Sequence, residues 1–124
     1  MASMSVENMA FAMPGGETCG QSRARPVDLA HLSRQTMGDR DLEREVLSLF
    51  LHQAQVVGDR LEGASPQERV LLAHGLKGSA RGIGAFRVAD IADAVESDPA
   101  SGKHLRSLAE AIVDVREFVS AISR

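Results

Sequence analysis

From Pro26 onward, apolar residues recur every three or four positions, the spacing of one face of an α-helix. Val27, Leu29, Leu32 and Met37 predict a short first helix that starts near Pro26 and ends by Gly38. Asp39 or Asp41 can cap a second helix to about Glu62, with Leu42, Val46, Leu49, Phe50, Gln53 or Ala54, Val57 and Leu61 inward and Gly63 ending it. Ser65-Pro66-Gln67-Glu68 has the order of a capping box with proline in the first turn, so a third helix runs on to about Gly84. A fourth, Phe86 to Glu96, places Val88, Ile91, Ala92 and Val95 on one side before Asp98-Pro99 breaks the pattern. Ser101 can cap the last helix, whose Leu105, Leu108, Ile112, Val115, Val119 and Ile122 form a near-heptad seam. No strand pattern or repeat competes. The expected fold is all-α: an antiparallel four-helix bundle with a short additional N-terminal helix.

Composition narrows this without changing it. Of 124 residues four are Phe and none is Trp or Tyr, so the core must be mainly aliphatic. A formal charge of −3 offers no large basic surface for nucleic acid. One Cys, Cys19, excludes an internal disulfide and a Cys-rich zinc site, and has no neighbouring base to activate it. No apolar run is long enough for a membrane span, and the N-terminus lacks the basic region of a secretory signal, so a cytoplasmic monomer is expected. Residues 1–26 hold four of the five Met, Gly15-Gly16 and two Pro, and read as a flexible tail ahead of a domain over 27–124.

The stretch His74-Gly75-Leu76-Lys77-Gly78-Ser79-Ala80-Arg81-Gly82-Ile83-Gly84-Ala85 stands apart. At about 100° per residue Arg69, Leu72, Ala73, Leu76, Ala80 and Ile83 share the inward face, centred near Leu76, and His74 lies about 160° from Leu76, toward solvent. Lys77, Gly78 and Arg81 follow His74 at i+3, i+4 and i+7 on the same side. Four glycines would cost a helix roughly 3–4 kcal/mol relative to alanine. Either the stretch is a loop, against which the capping box and the stripe through Ile83 argue, or small residues are wanted, the preferred account for Gly78 and Gly84. Gly78 leaves the imidazole uncovered to another molecule, and Gly84 would let two helices meet tightly at their turn. Imidazole titrates near about 6.5, so a neutral nucleophile is plentiful at pH 7, and a lysine can meet phosphate oxygens. By spacing alone the same residues fit an ordinary solvated helix face.

The run His74-Gly75-Leu76-Lys77-Gly78-Ser79-Ala80 with Gly84-Ala85 resembles the motif of histidine-containing phosphotransfer (HPt) domains: His, any residue, an aliphatic, Lys, Gly, a small pair, then Gly about ten residues on. The resemblance extends more loosely over residues 27–123. It implies that His74 accepts a phosphoryl group on Nε2, that Lys77 stabilises it, and that Gly78 keeps the approach clear. Ser79 occupies a small position near the site; Arg81 is basic and outward without being a known requirement. It implies a phosphocarrier rather than an enzyme, passing phosphate between response-regulator receiver domains or from a hybrid or other histidine kinase. The chain itself would bind no cofactor, with Mg²⁺ on the partner receiver. Binding to a receiver without transfer, and a purely structural bundle, are the rival readings.

His31, His52, His74 and His104 fall on four different helices, which argues for surface histidines and against a metal site. The glycines lack the Walker order and a preceding strand, so nucleotide binding is not supported. Leu47 and Leu51 lie beside the main stripe of the second helix. They either pack partially on a neighbouring helix or join Val70 and Leu71 in an exposed apolar docking patch.

Overall fold

The computed structural model describes residues 25–123, and within them every regular element is a helix: α1 (Leu29–Gln35), α2 (Arg40–Leu61), α3 (Pro66–Ile83), α4 (Phe86–Ser97) and α5 (Gly102–Ile122). The tail expected over residues 1–26, with Cys19, lies outside the described residues except for Arg25 and Pro26. Each start except that of α4 is capped by a side chain that takes an otherwise orphaned amide. Asp28, Asp39, Ser65 and Ser101 accept from the amides of His31, Leu42, Glu68 and His104. The Asp28 cap sets the start of α1 at Leu29 rather than near Pro26. Val27 is instead core, and Met37, expected on the inward stripe, is exposed in a left-handed turn with Gly38.

Neighbouring helices pack in the order α2, α3, α4, α5 and back to α2, so four of them close around one core, with α1 set against α3. The core is aliphatic apart from Phe50 and, beside it, Phe86. Ala73, Leu76, Ala80 and Ile83 of α3 face it, as do Val88, Ala89, Ala92 and Val95 of α4. On α5 the seam is Leu108, Ala111, Ile112 and Val115; Leu105 and Val119 are half-buried and Ile122 is exposed.

The α2 stripe differs from expectation. Its buried residues are Leu47, Phe50, Ala54, Val57 and Leu61, whereas Leu42 and Leu49 face outward. Leu47, expected beside the stripe and in a docking patch, is 4% exposed, and Leu51 is half-buried against the core. Apolar residues in the first half of α2 spread over about 160° of its circumference, so its periodicity admits more than one inward face. The positions of α3 and α5 select one of them.

Gly84 ends α3 with φ +90°, and the Ala85 amide bonds back to the Ala80 carbonyl at 2.8 Å. A Cβ on Gly84 would sit 2.8 Å from the Asp28 carbonyl oxygen, and the Asp28 amide donates to the Gly84 carbonyl at 2.9 Å. Gly84 is therefore required where the α1 cap segment touches the α3–α4 turn, not by contact between two helices. Gly84→Ala is expected to destabilise the protein by about 2 kcal/mol, combining left-handed strain with that backbone contact. Urea unfolding at constant m-value checks it.

Candidate functional site

The α3–α4 turn is only Gly84 and Ala85 long, so the two helices form a hairpin. Residues equally far from the turn face one another across it, His74 opposite Glu96 and Lys77 opposite Asp93. His74, on the outer face of α3, has a side chain 68% exposed, and its Nδ1 lies 2.9 Å from Glu96 Oε2. The other oxygen of the same carboxylate, Oε1, is 2.6 Å from Lys77 Nζ. Lys77 Nζ also donates to Asp93 Oδ1 at 3.1 Å.

These contacts settle protonation by charge. The Lys77 ammonium, and secondly His74, holds the Glu96 carboxyl below the usual glutamate range, while desolvation works against them. An ionised carboxylate only accepts, so Nδ1 carries the proton and donates it. The lone pair of His74 then resides on Nε2, and no hydrogen bond among the described residues occupies that atom. Glu96, first of all, keeps the Lys77 ammonium above its usual range, with Asp93 adding to the effect and partial burial opposing it.

Lys77 is thus not the freely mobile outward cation expected from its place beside His74. Its side chain is 14% exposed and committed to two carboxylates, because the hairpin brings α4 acids against that flank of α3. Gly78 is exposed, and a Cβ there would meet nothing within 4 Å; the same holds for Gly75 and Gly82. Packing does not require these glycines, and they leave low ground around the imidazole. Ser79 is half-buried and Arg81 exposed. Of the four residues in the expected docking patch, Leu71 is 74% exposed and Val70 half-buried beside His74, while Leu47 and Leu51 belong to the core side of α2.

Sequence periodicity missed Glu96 and Asp93, which look like solvated acids on α4. The short turn was the available signal, since it makes the hairpin pairing countable. The remaining histidines are dispersed. His52 is exposed, His104 is half-buried, and His31 is not an ordinary surface residue but packs edge-on to Phe86 at 5.1 Å. Among the described residues no group of three or more His, Cys, Asp or Glu could hold a metal, and no helix is long and apolar enough to cross a membrane.

The pH response of this cluster has a definite sign. Glu96 is depressed on folding, so its contribution to stability is fully present above about pH 4.5 and is lost as pH falls through its lower folded value. Lys77 is raised, so its contribution holds below about pH 10.5 and is lost as pH climbs through the higher folded value. Thermal unfolding between pH 3 and 7 is expected to show a shallower acid fall in Glu96→Gln than in the wild type. Parallel curves would show that Glu96 does not contribute to it.

The family model described as Hpt domain matches residues 45–123, which include α3 through α5 and most of α2. No curated protein and no solved structure matches the chain.

Proposed function

The chain belongs to the Hpt domain family, phosphocarrier modules of two-component phosphorelays, and from that premise we propose that His74 is the residue that carries the phosphoryl group. The observation that supports this most is the pairing of Nδ1–H with an ionised Glu96, which leaves Nε2 as the nucleophilic atom of an exposed ring.

The donor in this reading is an aspartyl phosphate on a receiver domain. The Nε2 lone pair forms the N–P bond as the P–O bond to the aspartyl carboxylate breaks, and that electron pair leaves with the carboxylate. No proton has to move. Nδ1 keeps its hydrogen, the ring becomes cationic, and Glu96 lies beside the new positive charge. Discharge to the aspartate of a second receiver reverses these steps, so the group shuttles between receivers. A histidine kinase is the alternative donor. Phosphoryl transfer asks chiefly for positioning and charge compensation, and Mg²⁺ would supply the latter from the receiver.

Leu71 and Val70 provide apolar contact next to His74, Gly75 and Gly78 allow close approach, and Arg81 faces the acidic receiver site. The short connections 62–65, 84–85 and 98–101 support an antiparallel course for the four long helices, which keeps this face rigid. We place the protein in the cytoplasm as a monomer that meets its partners briefly.

The test is transfer of label from receivers phosphorylated on aspartate, and from histidine kinases, to the full chain. Acid-labile, alkali-stable label mapped to the His74 peptide by mass spectrometry is the expected result. Label at another residue, or none from a broad panel of receivers and kinases, overturns the reading.

A further inference from the structure

The charges around His74 do not balance. One ammonium, Lys77, faces two carboxylates, Asp93 and Glu96, so the cluster carries a net negative charge when the imidazole is neutral. A phosphoryl group carries about −1.5 to −2 of charge, and the cationic ring offsets only one unit of it, so the cluster becomes more negative still. The two carboxylates take two of the three Lys77 N–H donors and hold the ammonium against α4, so reaching a phosphate oxygen means loosening that hold. The two are not equivalent. Glu96 is the better buried, is held from the other side by His74, and approaches to 2.6 Å. Asp93 is 53% exposed and stands off at 3.1 Å, so it is the weaker hold.

We propose that Asp93 is a positioning residue that competes with the phosphoryl group for the Lys77 ammonium and so keeps phospho-His74 short-lived and readily discharged. This rests on the phosphocarrier reading of His74. When the phosphoryl group is present, Lys77 is divided between Asp93 and a phosphate oxygen. The N–P bond is therefore stabilised less than a free lysine would stabilise it. Water attack on phosphorus, which breaks the N–P bond and returns the pair to Nε2, is correspondingly faster. Onward transfer is favoured for the same reason. Arg81, one turn beyond Lys77 and exposed, makes no ion pair with Asp93 or Glu96 among the described residues.

The full chain is phosphorylated by a labelled receiver, separated from it, and followed for loss of phosphohistidine by ³¹P NMR. Asp93→Asn is expected to lengthen the half-life roughly fivefold, the scale of one charge–charge contact near a protein surface. It is also expected to shift the equilibrium with the receiver toward phospho-His74. Asp93→Glu, which keeps the competing charge, is expected to stay near the wild type. In a Lys77→Gln background the Asp93→Asn change is expected to have no effect, because the competition has lost its object. An unchanged or shorter half-life in Asp93→Asn overturns the proposal. So does an equal lengthening with and without Lys77, which would mean that Asp93 repels the phosphoryl group directly. Failure of the wild type to take label on His74 removes the phosphocarrier reading itself, a result distinct from labelled variants that decay alike.

Discussion

His74→Gln is expected to abolish phosphoryl uptake from every competent donor while leaving the thermal midpoint within about 3 °C of the wild type. Uptake depends on a single lone pair. Glutamine has an amide nitrogen that can still approach Glu96, but its electron pair is delocalised and cannot form a stable N–P bond. Neither Lys77, held protonated by Glu96 and Asp93, nor the hydroxyl of half-buried Ser79 offers an equivalent nucleophile. Stability should hardly move, because the ring is 68% exposed and the hydrogen bond it makes is a surface one. Labelling and a melting curve on the same preparation check both halves. Residual label on the variant would place the acceptor elsewhere, and a collapse of the midpoint would make His74 a structural residue.

The second large effect concerns Arg69, in the first turns of α3 and about 140° around the helix from His74. Its guanidinium makes three separate bonds to backbone carbonyls. Nε donates to Leu61 at 2.8 Å, Nη2 to Glu62 at 2.9 Å, and Nη1 to Pro99 at 2.9 Å. The first two satisfy the end of α2, where carbonyls have no helical partner, and the third secures the α4–α5 connection. One side chain thus ties three parts of the chain together. Arg69→Ala is expected to destabilise the protein by about 3–4 kcal/mol, since three charge-assisted bonds are lost, the partly buried Pro99 carbonyl is left bare and the Leu61 carbonyl keeps only the Ala64 amide. The midpoint should fall by more than about 12 °C for a domain of this size. Arg69→Lys should recover little, because a point ammonium cannot reach three carbonyls spread across a planar fork. Label transfer measured well below the melting range should be nearly normal in both variants. A shift below about 1 kcal/mol would mean that water satisfies these carbonyls equally well.

These two residues show what kind of information local sequence carries. His74 could be read as outward from its angle to Leu76 alone, and its place in the motif pointed to the chemistry. Arg69 also falls on the inward side of α3, but its partners lie at the end of α2 and in the α4–α5 connection, which no period relates to it. Leu47 was misplaced for a related reason. On α2, Leu42, Leu47 and Leu49 are all good helix formers with apolar side chains, and nothing local ranks them.

By itself the sequence determined the helices, because a cap such as Ser65 or Ser101 and a stripe such as Ala73, Leu76, Ala80 and Ile83 are interactions within a few residues. It also determined the exposed His74 and the open glycines around it. Only the tertiary structure decided which face of α2 turns inward, that Gly84 must lack a Cβ because Asp28 lies against it, and that Lys77 is held rather than free. It also decided that Glu96 orients the imidazole. Each of these depends on contacts between segments distant along the chain, and such contacts are selected by the packing of whole helices, not by the period of any one of them.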